Sequence, residues 1–330
     1  MENLLLDSFA RLLDQISSPA AVRRAEADGD TAQINHEMEE SGFLDALVPE
    51  SAGGSGLAIA DVVPLFLAAG EYLLPIPFAE TVVARALIAT CDAQPPRGRT
   101  IILCPATADG QPRSALDPCS DPASLALVQR GIAFDLVPIR ARERRTDPFR
   151  LCSARPAFHE PPLLSFTLAS VDLLHWAAAI TTAYMAGAMQ RMLEMSLAYV
   201  NDRQQFGRTL SKFQVIQQNL SVFAERSVSA QVAARIGLMG SDLILDRGRV
   251  GIAKSVANES ARVCTGIAHA VHGAIGISEA HDLQLYTRRL ARWQVSFGSG
   301  AYWQRCIGQL RLQSEEPTAV DFVRTLRGPT

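Results

Sequence analysis

The chain lacks the positive charge and the aromatic side chains that nucleic-acid-binding proteins use. Its 330 residues include 31 Lys and Arg against 34 Asp and Glu, which gives a formal net charge of −3 at pH 7. Phe, Trp and Tyr together make up 6% of the residues. Such a chain creates no field that attracts phosphate backbones or anionic membranes, and it offers few rings on which bases could stack. We therefore expect no nucleic-acid partner.

The sequence also has no cysteine or histidine motif for a metal. The six cysteines are scattered, none forms a C-x-x-C pair, and no histidine stands at metal-ligand spacing from any of them. Scattered cysteines are typical of reduced, mostly buried thiols in a cytoplasmic protein. The pattern predicts no metal site and a cytoplasmic location.

No stretch of the sequence is apolar for long enough to predict a membrane helix. The most apolar run, Leu173 to Met189, contains His175 and two threonines. It is shorter than the roughly 20 apolar residues that a bilayer requires, so it predicts a buried bundle helix. The N-terminal MENLLLDSFARLLDQI carries Glu2 and Asp7 and no basic stretch, which predicts an amphipathic helix rather than a signal peptide. We expect no membrane insertion.

Composition divides the chain into three predicted domains. Residues 1–97 show helical periodicity, with helices predicted near 4–16, 31–41 and 61–72 and loops at 48–57 and 74–81. Residues 98–167 contain short β-prone segments separated by Pro, Gly and Asp, which predicts a small antiparallel β-domain. A basic cluster at 140–145 is more typical of a solvated face than of an anion site. Residues 168–330 are helical in period, so the sequence predicts a mainly α protein with one small β-domain.

The C-terminal region predicts an antiparallel four-helix bundle. Asp172 suits the N-cap of a helix that ends near residue 202, and Ser211 suits the N-cap of a second helix with an apolar stripe. Two further helices are predicted over about 246–271 and 280–312, and short links between long helices are typical of such bundles. Neither G-x-x-x-x-G-K-[ST] nor a strand followed by G-x-G-x-x-G occurs, so no nucleotide-binding α/β domain is expected.

The stretch RQQFGRTLSKFQVIQQ, residues 203–218, interrupts the helical pattern with side chains that a simple turn does not require. Gly207 alone would let the chain turn. Arg203 adds a permanently charged donor suited to phosphate oxygens, Gln205 adds an amide, and Phe206 adds a flat face for an aromatic ring. Together these groups suit a nucleotide. The alternative is structural, with Arg203 at the C-terminal end of a helix dipole and Phe206 in the core.

The same stretch resembles the flavin-binding signature R-x-Q-F-G of the acyl-CoA dehydrogenase family. The residues that match its spacing are Arg203, Gln205, Phe206, Gly207, Leu210, Phe213, Gln214 and Gln217. Four further segments resemble the family in the same order along the chain: VPESAGGSG, PIPFAET, HGAIGIS and HDLQLYTRR. The resemblance implies the family fold, which has an N-terminal helical domain, a middle β-domain and a C-terminal four-helix bundle.

The resemblance implies that the chain contacts FAD across a subunit interface. In the family, the R-x-Q-F-G segment contacts the pyrophosphate and adenine of a flavin that the neighbouring subunit mainly holds. The residues implied in this contact are Arg203, Gln205, Phe206, Leu210, Phe213 and Gln214, and those on the second flavin-contacting loop are His272 and Gly273. FAD is therefore the expected cofactor.

The catalytic base of the family is missing from this chain. Family members use a glutamate to remove the α-proton of an acyl-CoA while the β-hydrogen leaves as hydride to the flavin. The position that matches the usual base holds Gly298, and the position that matches the alternative base, on the first bundle helix, holds Ala177. His272, Glu279 and Asp282 are nearby substitutes, but a capping or surface role is the stronger expectation for each. No catalytic residue is assigned within the chain.

Other departures affect the chain's own flavin half-site. The loop before the last helix has Ala270 where the family has glutamine and Ala274 where it has a second glycine. The middle domain is short and lacks the T-E-P-x-A-G-S-D and W-I-T-N-G segments that surround the flavin ring in relatives. These departures favour a short family member that resembles one subunit of the heteromeric steroid-type acyl-CoA dehydrogenases, in which a partner chain supplies the base.

The expected function is α,β-desaturation of an acyl-CoA thioester within such an assembly. The expected partners are the acyl-CoA substrate, a second acyl-CoA dehydrogenase-like subunit or further copies of the chain, and an electron-transfer flavoprotein as electron acceptor. Two alternatives stay open. The first is a homo-oligomeric flavoenzyme with a base from another position, and the second is a non-catalytic scaffold that keeps the fold without flavin.

Overall fold

The computed structural model describes residues 2–106, 124–139, 144–146, 149, 151–154 and 161–326, and helices dominate this part of the chain. The helices are α1 (Glu2–Ile16), α2 (Pro19–Asp28), α3 (Ala32–Glu40), α4 (Ile59–Glu71), α5 (Phe78–Ala89), α6 (Leu173–Asp202), α7 (Gln214–Gly237), α8 (Arg247–His272), α9 (Leu283–Val295), α10 (Gly300–Gln313) and α11 (Ala319–Thr325). The strands are β1 (Ile101–Cys104), β2 (Leu125–Arg130), β3 (Ala133–Pro138), β4 (Arg144–Thr146), β5 (Cys152–Ala154), β6 (Leu164–Thr167), β7 (Gln204–Gln205), β8 (Arg208–Thr209), β9 (Gly240–Ser241) and β10 (Ile244–Leu245). Residues 140–143 of the basic cluster lie outside the described residues. None of the described helices is long and apolar enough to cross a membrane.

The N-terminal helices follow the predicted periodicity, apart from one helix start. α1, α3 and α4 agree with the predicted helices to within two residues at each end. The prediction of a loop over 74–81 is wrong in its second half, because α5 begins at Phe78. The hydroxyl of Tyr184, on α6, accepts a hydrogen bond from the backbone N–H of Ala79 at 3.0 Å. The N–H groups in the first turn of a helix have no partner within that helix. Here a side chain of α6 supplies the partner, and the sequence around residue 78 gives no sign of it.

The small β region contains a mixed sheet rather than a purely antiparallel one. Its strands lie in the order β1-β2-β3-β6, with β2–β3 and β3–β6 antiparallel as predicted and β1–β2 parallel. Gly131 and Ile132 alone join β2 to β3, which suits a hairpin. Parallel neighbours need a connection of about a dozen residues or more, and the chain between Cys104 and Leu125 is long enough to provide one.

α6 is the central helix of the C-terminal bundle. It runs for 30 residues from Leu173, and Asp172 caps it as predicted by accepting a hydrogen bond from the N–H of Leu174 at 2.7 Å. α7 and α8 pack beside it, and α4 packs against it from the N-terminal region. Gly187 makes this last approach possible, since a Cβ there would lie 1.9 Å from the carbonyl oxygen of Leu67.

The helix predicted over 280–312 is two helices in the structure, α9 and α10. The chain leaves the helical conformation at Phe297 and Gly298, both with positive φ, and Ser299 caps α10 by accepting a hydrogen bond from the N–H of Tyr302. Periodicity alone misses this break because apolar residues continue at helical spacing on both sides of it. α8 follows the prediction, with Asp246 as its N-cap.

One apolar core cluster joins the elements, extending from Phe9 in α1 to Cys306 in α10. A smaller cluster, which includes Ile102 and Val128, covers the other face of the sheet. The prediction of a mainly helical fold with a small β region and a C-terminal helical bundle is confirmed. The domain limits at 97 and 167 stay predictions.

Candidate functional site

The stretch 203–218 folds into a tight hairpin between α6 and α7. β7 and β8 pair antiparallel around the two turn residues, Phe206 and Gly207. Both turn residues have positive φ, 53° and 75° respectively. A two-residue hairpin turn of this kind favours asparagine or glycine at its first position, because a bulky side chain at positive φ is strained. The turn geometry therefore explains Gly207 but gives no local reason for Phe206.

Phe206 lies in solvent, 89% exposed. Its ring has an edge contact with the ring of Phe213, with the ring centroids 6.2 Å apart. Strained backbone of this kind costs about 1 kcal/mol or more, and leaving a phenylalanine in water forgoes about 1.5–3 kcal/mol of burial. The alternative that Phe206 belongs to the core is wrong, and the exposed ring is available to a partner.

The polar residues that the sequence singled out lie exposed beside this ring. Arg203 is the C-cap residue of α6, and its guanidinium forms no hydrogen bond or ion pair with the described residues. Gln205 is exposed on β7, and Gln214 is exposed as the first residue of α7. One segment of the chain, at one edge of the bundle, thus carries an exposed ring, a guanidinium and two exposed amides, and the guanidinium has no partner within the described part of the structure.

Arg208 is a member of this edge that the sequence reasoning missed. Its guanidinium carbon lies 4.0 Å above the ring centroid of Phe213, a cation–π contact that places a second positive charge beside Phe206. Phe213, half-buried, precedes α7 without giving it a side-chain cap, so the positive end of a 24-residue helix faces the hairpin. Arg208 follows the glycine of the signature directly, and this proximity was the only signal available.

Two residues of the same stretch have structural roles. The prediction that Ser211 caps α7 is wrong, because Ser211 lies in a 3₁₀ turn and α7 begins at Gln214. Gln217 fixes that turn by donating a side-chain hydrogen bond to the carbonyl of Ser211 at 2.9 Å. Leu210, predicted to contact the cofactor, is partly buried against the apolar core, where it anchors the hairpin.

The second predicted loop lies next to the first. α8 ends at His272, and a 3₁₀ helix, Gly273–Ile277, follows it, with Gly273 at φ 61°. The ring of Tyr199 stacks on the ring of His272, with centroids 4.6 Å apart and planes 24° from parallel. Tyr199 lies one helical turn before Arg203, and His272 directly precedes Gly273. The stacked pair therefore brings the hairpin and the loop at Gly273 close together. Sequence reasoning did not identify Tyr199.

The residues at this edge fit a dinucleotide. Arg203 and the uncapped end of α7 suit pyrophosphate oxygens. Phe206 offers a ring face to a base. His272 is 3% exposed, and its Nε2 is buried with no hydrogen-bond partner in the described structure, so this side chain is not open to a ligand here. The described residues include no group of three or more potential metal ligands.

The matching position of the family base cannot carry a side chain in this structure. Gly298 has φ 105°, and a Cβ there would lie 2.4 Å from Nε1 of Trp303 and 2.7 Å from a ring carbon of Tyr302. The indole of Trp303 is fixed in place, because Nε1 donates a hydrogen bond to the carbonyl of Phe297 at 3.1 Å. The rings of Trp303 and Tyr302 therefore leave no room for a glutamate side chain at residue 298.

A fully buried lysine lies beside this break between α9 and α10. Nζ of Lys254, on α8, donates a hydrogen bond to the carbonyl of Trp293 in the last turn of α9 at 2.5 Å, and it lies 3.3 Å from Oδ1 of Asn258. No carboxylate in the described part of the chain pairs with it. Burial lowers the pKa of Lys254 to about 7. The amine therefore donates a hydrogen bond to the last turn of α9. Its burial at the same time disfavours the charged form of the side chain.

A cavity of about 510 Å³ lies under the same break and includes Gly298 in its wall. Two carboxylates line it among the described residues. Glu26 pairs with Arg288 at 2.8 Å and with Arg289 at 3.2 Å. Glu80 accepts a hydrogen bond from the hydroxyl of Tyr184 at 2.8 Å. Glu80 lies in the first turn of α5, and the sequence offered no signal for its place in the cavity wall beyond its position in PIPFAET.

The other base positions lie elsewhere. Ala177 is buried in the core of the bundle, and its carbonyl accepts a hydrogen bond from the hydroxyl of Thr181 at 2.7 Å. Glu279 is exposed, and Asp282 pairs with Arg23 at 2.6 Å. Neither of them, nor His272, belongs to the described wall of the cavity.

We expect that Gly298→Glu destabilises the fold and restores no dehydrogenase activity to the isolated chain. The substitution combines a strained positive φ with a collision against Trp303, and we expect a loss of about 2 kcal/mol or more in the free energy of unfolding. Gly300→Ala is the matched control, since its nearest neighbour would lie 3.7 Å away. Urea unfolding of both variants measures the difference, and a stable, active Gly298→Glu protein would refute this account of the site.

Comparison with known proteins identifies a family domain that contains these loops. Residues 166–310 match the family model described as acyl-CoA dehydrogenase, C-terminal domain. The match runs from β6 into α10 and includes the hairpin, the loop at Gly273 and the Gly298 break.

Whole-chain comparisons agree with this match. The chain is 26% identical over 294 residues to the acyl-CoA dehydrogenase IpdE2 of Mycolicibacterium smegmatis, with 87% of this chain and 91% of that protein covered. Its fold is similar to that of a variant of the Tcur3481–Tcur3483 steroid ACAD, with a TM-score of 0.78, 20% identity and coverage of 95% and 99% of the two chains. It is also similar to the ChsE4–ChsE5 complex of Mycobacterium tuberculosis, with a TM-score of 0.73, 19% identity and coverage of 96% and 98%.

Proposed function

We propose that the chain, whose residues 166–310 match the C-terminal domain of acyl-CoA dehydrogenases, is a subunit without a catalytic base in an FAD-dependent acyl-CoA dehydrogenase. In this proposal, a second acyl-CoA dehydrogenase-like chain holds the flavin and supplies the glutamate. The observation that carries the proposal is the exposure of Phe206 on a strained turn. The turn holds this ring at a positive φ that disfavours it, and the ring gains little packing within the chain in return.

The hairpin residues have separate tasks in this proposal. The guanidinium of Arg203 neutralises the pyrophosphate, and Phe206 covers the adenine. Arg208 adds charge behind Phe213, and Gln205 and Gln214 give amide groups for polar atoms of the nucleotide. FAD, when bound, would accept the β-hydrogen of the acyl thioester as hydride. None of these five residues exchanges a proton with the substrate, so their contribution is binding and orientation.

Two further parts of the proposal concern the assembly. The neighbours with similar folds include a steroid ACAD and a two-protein complex, which supports a ring-bearing acyl-CoA as substrate and an unlike partner chain. We propose an electron-transfer flavoprotein as the electron acceptor and a cytoplasmic location, both by analogy with other acyl-CoA dehydrogenases. A homo-oligomer is the alternative assembly.

The experiment isolates the chain alone and in complex with an acyl-CoA dehydrogenase-like chain that carries the glutamate. The proposal expects flavin absorbance and desaturation activity in the complex and little of either in the chain alone. Replacing the partner's glutamate by glutamine should abolish activity while the flavin stays bound. Full activity after that replacement would contradict the proposal.

A second candidate is a self-sufficient dehydrogenase in which Glu80 acts as the base. The cavity favours it, because Glu80 lies in the wall that also includes Gly298. Two features oppose it, because both give Glu80 a structural role: its carboxylate lies in the first turn of α5, near the positive end of that helix, and it accepts a hydrogen bond from the hydroxyl of Tyr184.

We expect that Glu80→Gln leaves the turnover rate of the complex within about two-fold of the wild type. The amide keeps the size of the side chain and can still accept from Tyr184, so the fold is retained. Steady-state desaturation by the complex measures the result. A loss of about 100-fold or more, the range expected for removal of a general base, would favour the second candidate.

A further inference from the structure

One side of α7 is not covered by any helix or strand of the described structure. α4, α6 and α8 pack against the other sides of this helix. On the uncovered side, exposed residues recur at alternating spacings of three and four, which keeps them on one line along the helix. We call this line the outer seam of α7, and its residues are Glu225, Val228, Val232, Arg235 and Met239.

The apolar residues on and beside the seam form one continuous surface. Val228, Val232 and Met239 lie on it, and Ile236 lies next to Val232 one turn further along. These four side chains are between 40% and 56% exposed. A single exposed valine needs no explanation, but a contiguous apolar surface of this kind marks a site of protein association.

The two charged residues of the seam lie symmetrically about its two valines. Glu225 stands three residues before Val228, and Arg235 stands three residues after Val232. With a rise of 1.5 Å per residue, each charged residue lies about 7.5 Å along the helix axis from the midpoint between the valines. Neither Glu225 nor Arg235 forms an ion pair with another residue that the structure describes.

This symmetry makes the seam complementary to itself in one orientation. If two copies pack antiparallel about a two-fold axis at the midpoint, Glu225 of each copy lies opposite Arg235 of the other. Val228 of each copy then lies opposite Val232 of the other. A parallel pair would instead place Glu225 opposite Glu225 and Arg235 opposite Arg235, and such like-charge contacts are unfavourable.

The part of the same face that is nearer the hairpin is polar. Gln214, Gln218 and Ser221 continue the line of the seam toward the start of α7. Gln214 lies about 16 Å along the helix axis from Glu225. A contact centred on the valines therefore leaves the start of α7, and the exposed ring of Phe206 before it, open to an unlike chain.

We propose that the outer seam of α7 binds a second copy of this chain, packed antiparallel about a two-fold axis between Val228 and Val232. The inference goes beyond the proposed function and does not depend on flavin, because it rests on a different surface. Within the proposed complex, the seam joins two pairs of unlike chains into an assembly with two copies of each.

The first experiment reverses the charges of the seam and measures self-association of the full chain by sedimentation equilibrium. We expect Glu225→Arg and Arg235→Glu each to weaken self-association about ten-fold or more, because each variant places like charges opposite each other twice. The double variant restores both ion pairs in the reverse sense and should return to within about three-fold of the wild type. Glu40→Arg, at an exposed position of α3, is the matched control and should have no effect.

The second experiment places a charge among the valines. We expect Val232→Lys to weaken self-association about 100-fold, because the interface would bury an ammonium group opposite Val228. Val320→Lys repeats the change at a valine that is 60% exposed on α11, and it should leave self-association unchanged. Thermal unfolding checks that the variants fold, and the charge reversals alone give the test if Val232→Lys does not.

Two results with the chain alone would overturn the inference. One is a wild-type chain that stays monomeric at about 100 μM, since a specific interface associates well below that concentration. The other is equal self-association of the wild type, the two single charge reversals and the double variant, which is the result expected for a parallel pair or for a contact elsewhere.

The complex distinguishes this inference from the proposed function. We expect Val232→Lys to divide the assembly into single pairs of unlike chains that keep their flavin, whereas Phe206→Asn should leave self-association within about two-fold. If Val232→Lys instead releases the unlike chain, the seam belongs to that chain and the inference is wrong. Retention of flavin in Phe206→Asn would count against the proposed function alone.

Discussion

Phe206→Asn should release FAD from the complex while making this chain more stable. Asparagine followed by glycine is the preferred pair for a two-residue turn with positive φ at both positions, so the variant relieves the backbone strain at residue 206. The ring is 89% exposed and has an edge contact with Phe213, so its removal costs little packing within the chain. We expect a gain of up to about 1 kcal/mol in the free energy of unfolding. The same change removes base stacking worth about 1–3 kcal/mol, which weakens FAD binding by about 10- to 100-fold.

Arg203→Ala should weaken FAD binding by a similar factor for a different reason. The guanidinium has no partner among the described residues, so its removal leaves the fold unchanged. It supplies charge-assisted hydrogen bonds to phosphate, worth about 1.5–3 kcal/mol. Together with Phe206→Asn, the expected loss reaches about 1,000-fold.

Exposed residues elsewhere on the bundle supply the controls. Leu312 is 88% exposed on α10, and Arg235 is exposed near the end of α7. Leu312→Asn and Arg235→Ala repeat the chemical changes away from the hairpin, and FAD binding should stay within about two-fold. Fluorescence titration with FAD and thermal unfolding measure both effects. An FAD affinity in Phe206→Asn equal to that of the controls would mean that the ring does not touch the cofactor.

Lys254→Met should remove a large pH dependence from the stability of the chain. In the folded state burial lowers the pKa of Lys254 to about 7, whereas an unfolded lysine has its ordinary value of 10.5. Between these two values the unfolded state binds more protons, so the free energy of unfolding rises with pH by about 1.4 kcal/mol per unit. Below pH 7 both states are protonated, and the group's destabilising effect is fully present.

The measurement compares urea unfolding of wild type and Lys254→Met at pH 7 and pH 9. We expect the wild type to gain about 2–3 kcal/mol more than the variant over this interval. The sequence contains one other lysine, Lys212, which is exposed, and Lys212→Met should keep the wild-type dependence. Equal slopes for wild type and Lys254→Met would show that the buried amine stays charged, held by the carbonyl of Trp293.

The elements that sequence could predict are those whose signals are local. Asp172 and Asp246 are capping residues that stand at the starts of long apolar-periodic segments, and α6 and α8 begin directly after them. Ser211 has the same chemistry but does not cap α7, because it lies in a 3₁₀ turn where its hydroxyl pairs with that of Thr209 at 3.1 Å. A capping residue thus predicts a helix start only when no other group engages its side chain.

The hairpin could be located from sequence, but its orientation could not. By their chemistry alone, Arg203, Gln205 and Phe206 suit a helix end better than a nucleotide. The exposed ring, and a guanidinium with no partner among the described residues, favour the nucleotide. Arg208 and Tyr199 were missed because their partners, Phe213 and His272, meet them through space. Tyr199 in particular contacts a residue more than seventy positions away.

The cavity near Gly298 is a second feature that the sequence alone could not predict. The sequence showed that residue 298 has no side chain, which is a local fact. That Trp303 and Tyr302 fill the space, and that Glu80 from α5 lines the same cavity, depends on how distant helices pack. Long-range contacts of this kind leave no periodic or motif signal in one sequence.

The most direct test measures bound flavin and activity in two variant complexes. One carries Phe206→Asn in this chain, and the other carries the glutamate-to-glutamine change in the partner. We predict that Phe206→Asn strips the flavin and leaves the complex assembled, and that the partner's change leaves the flavin and abolishes activity. If both variant complexes keep their flavin and their activity, the claim that one chain contacts the cofactor and the other supplies the base is contradicted.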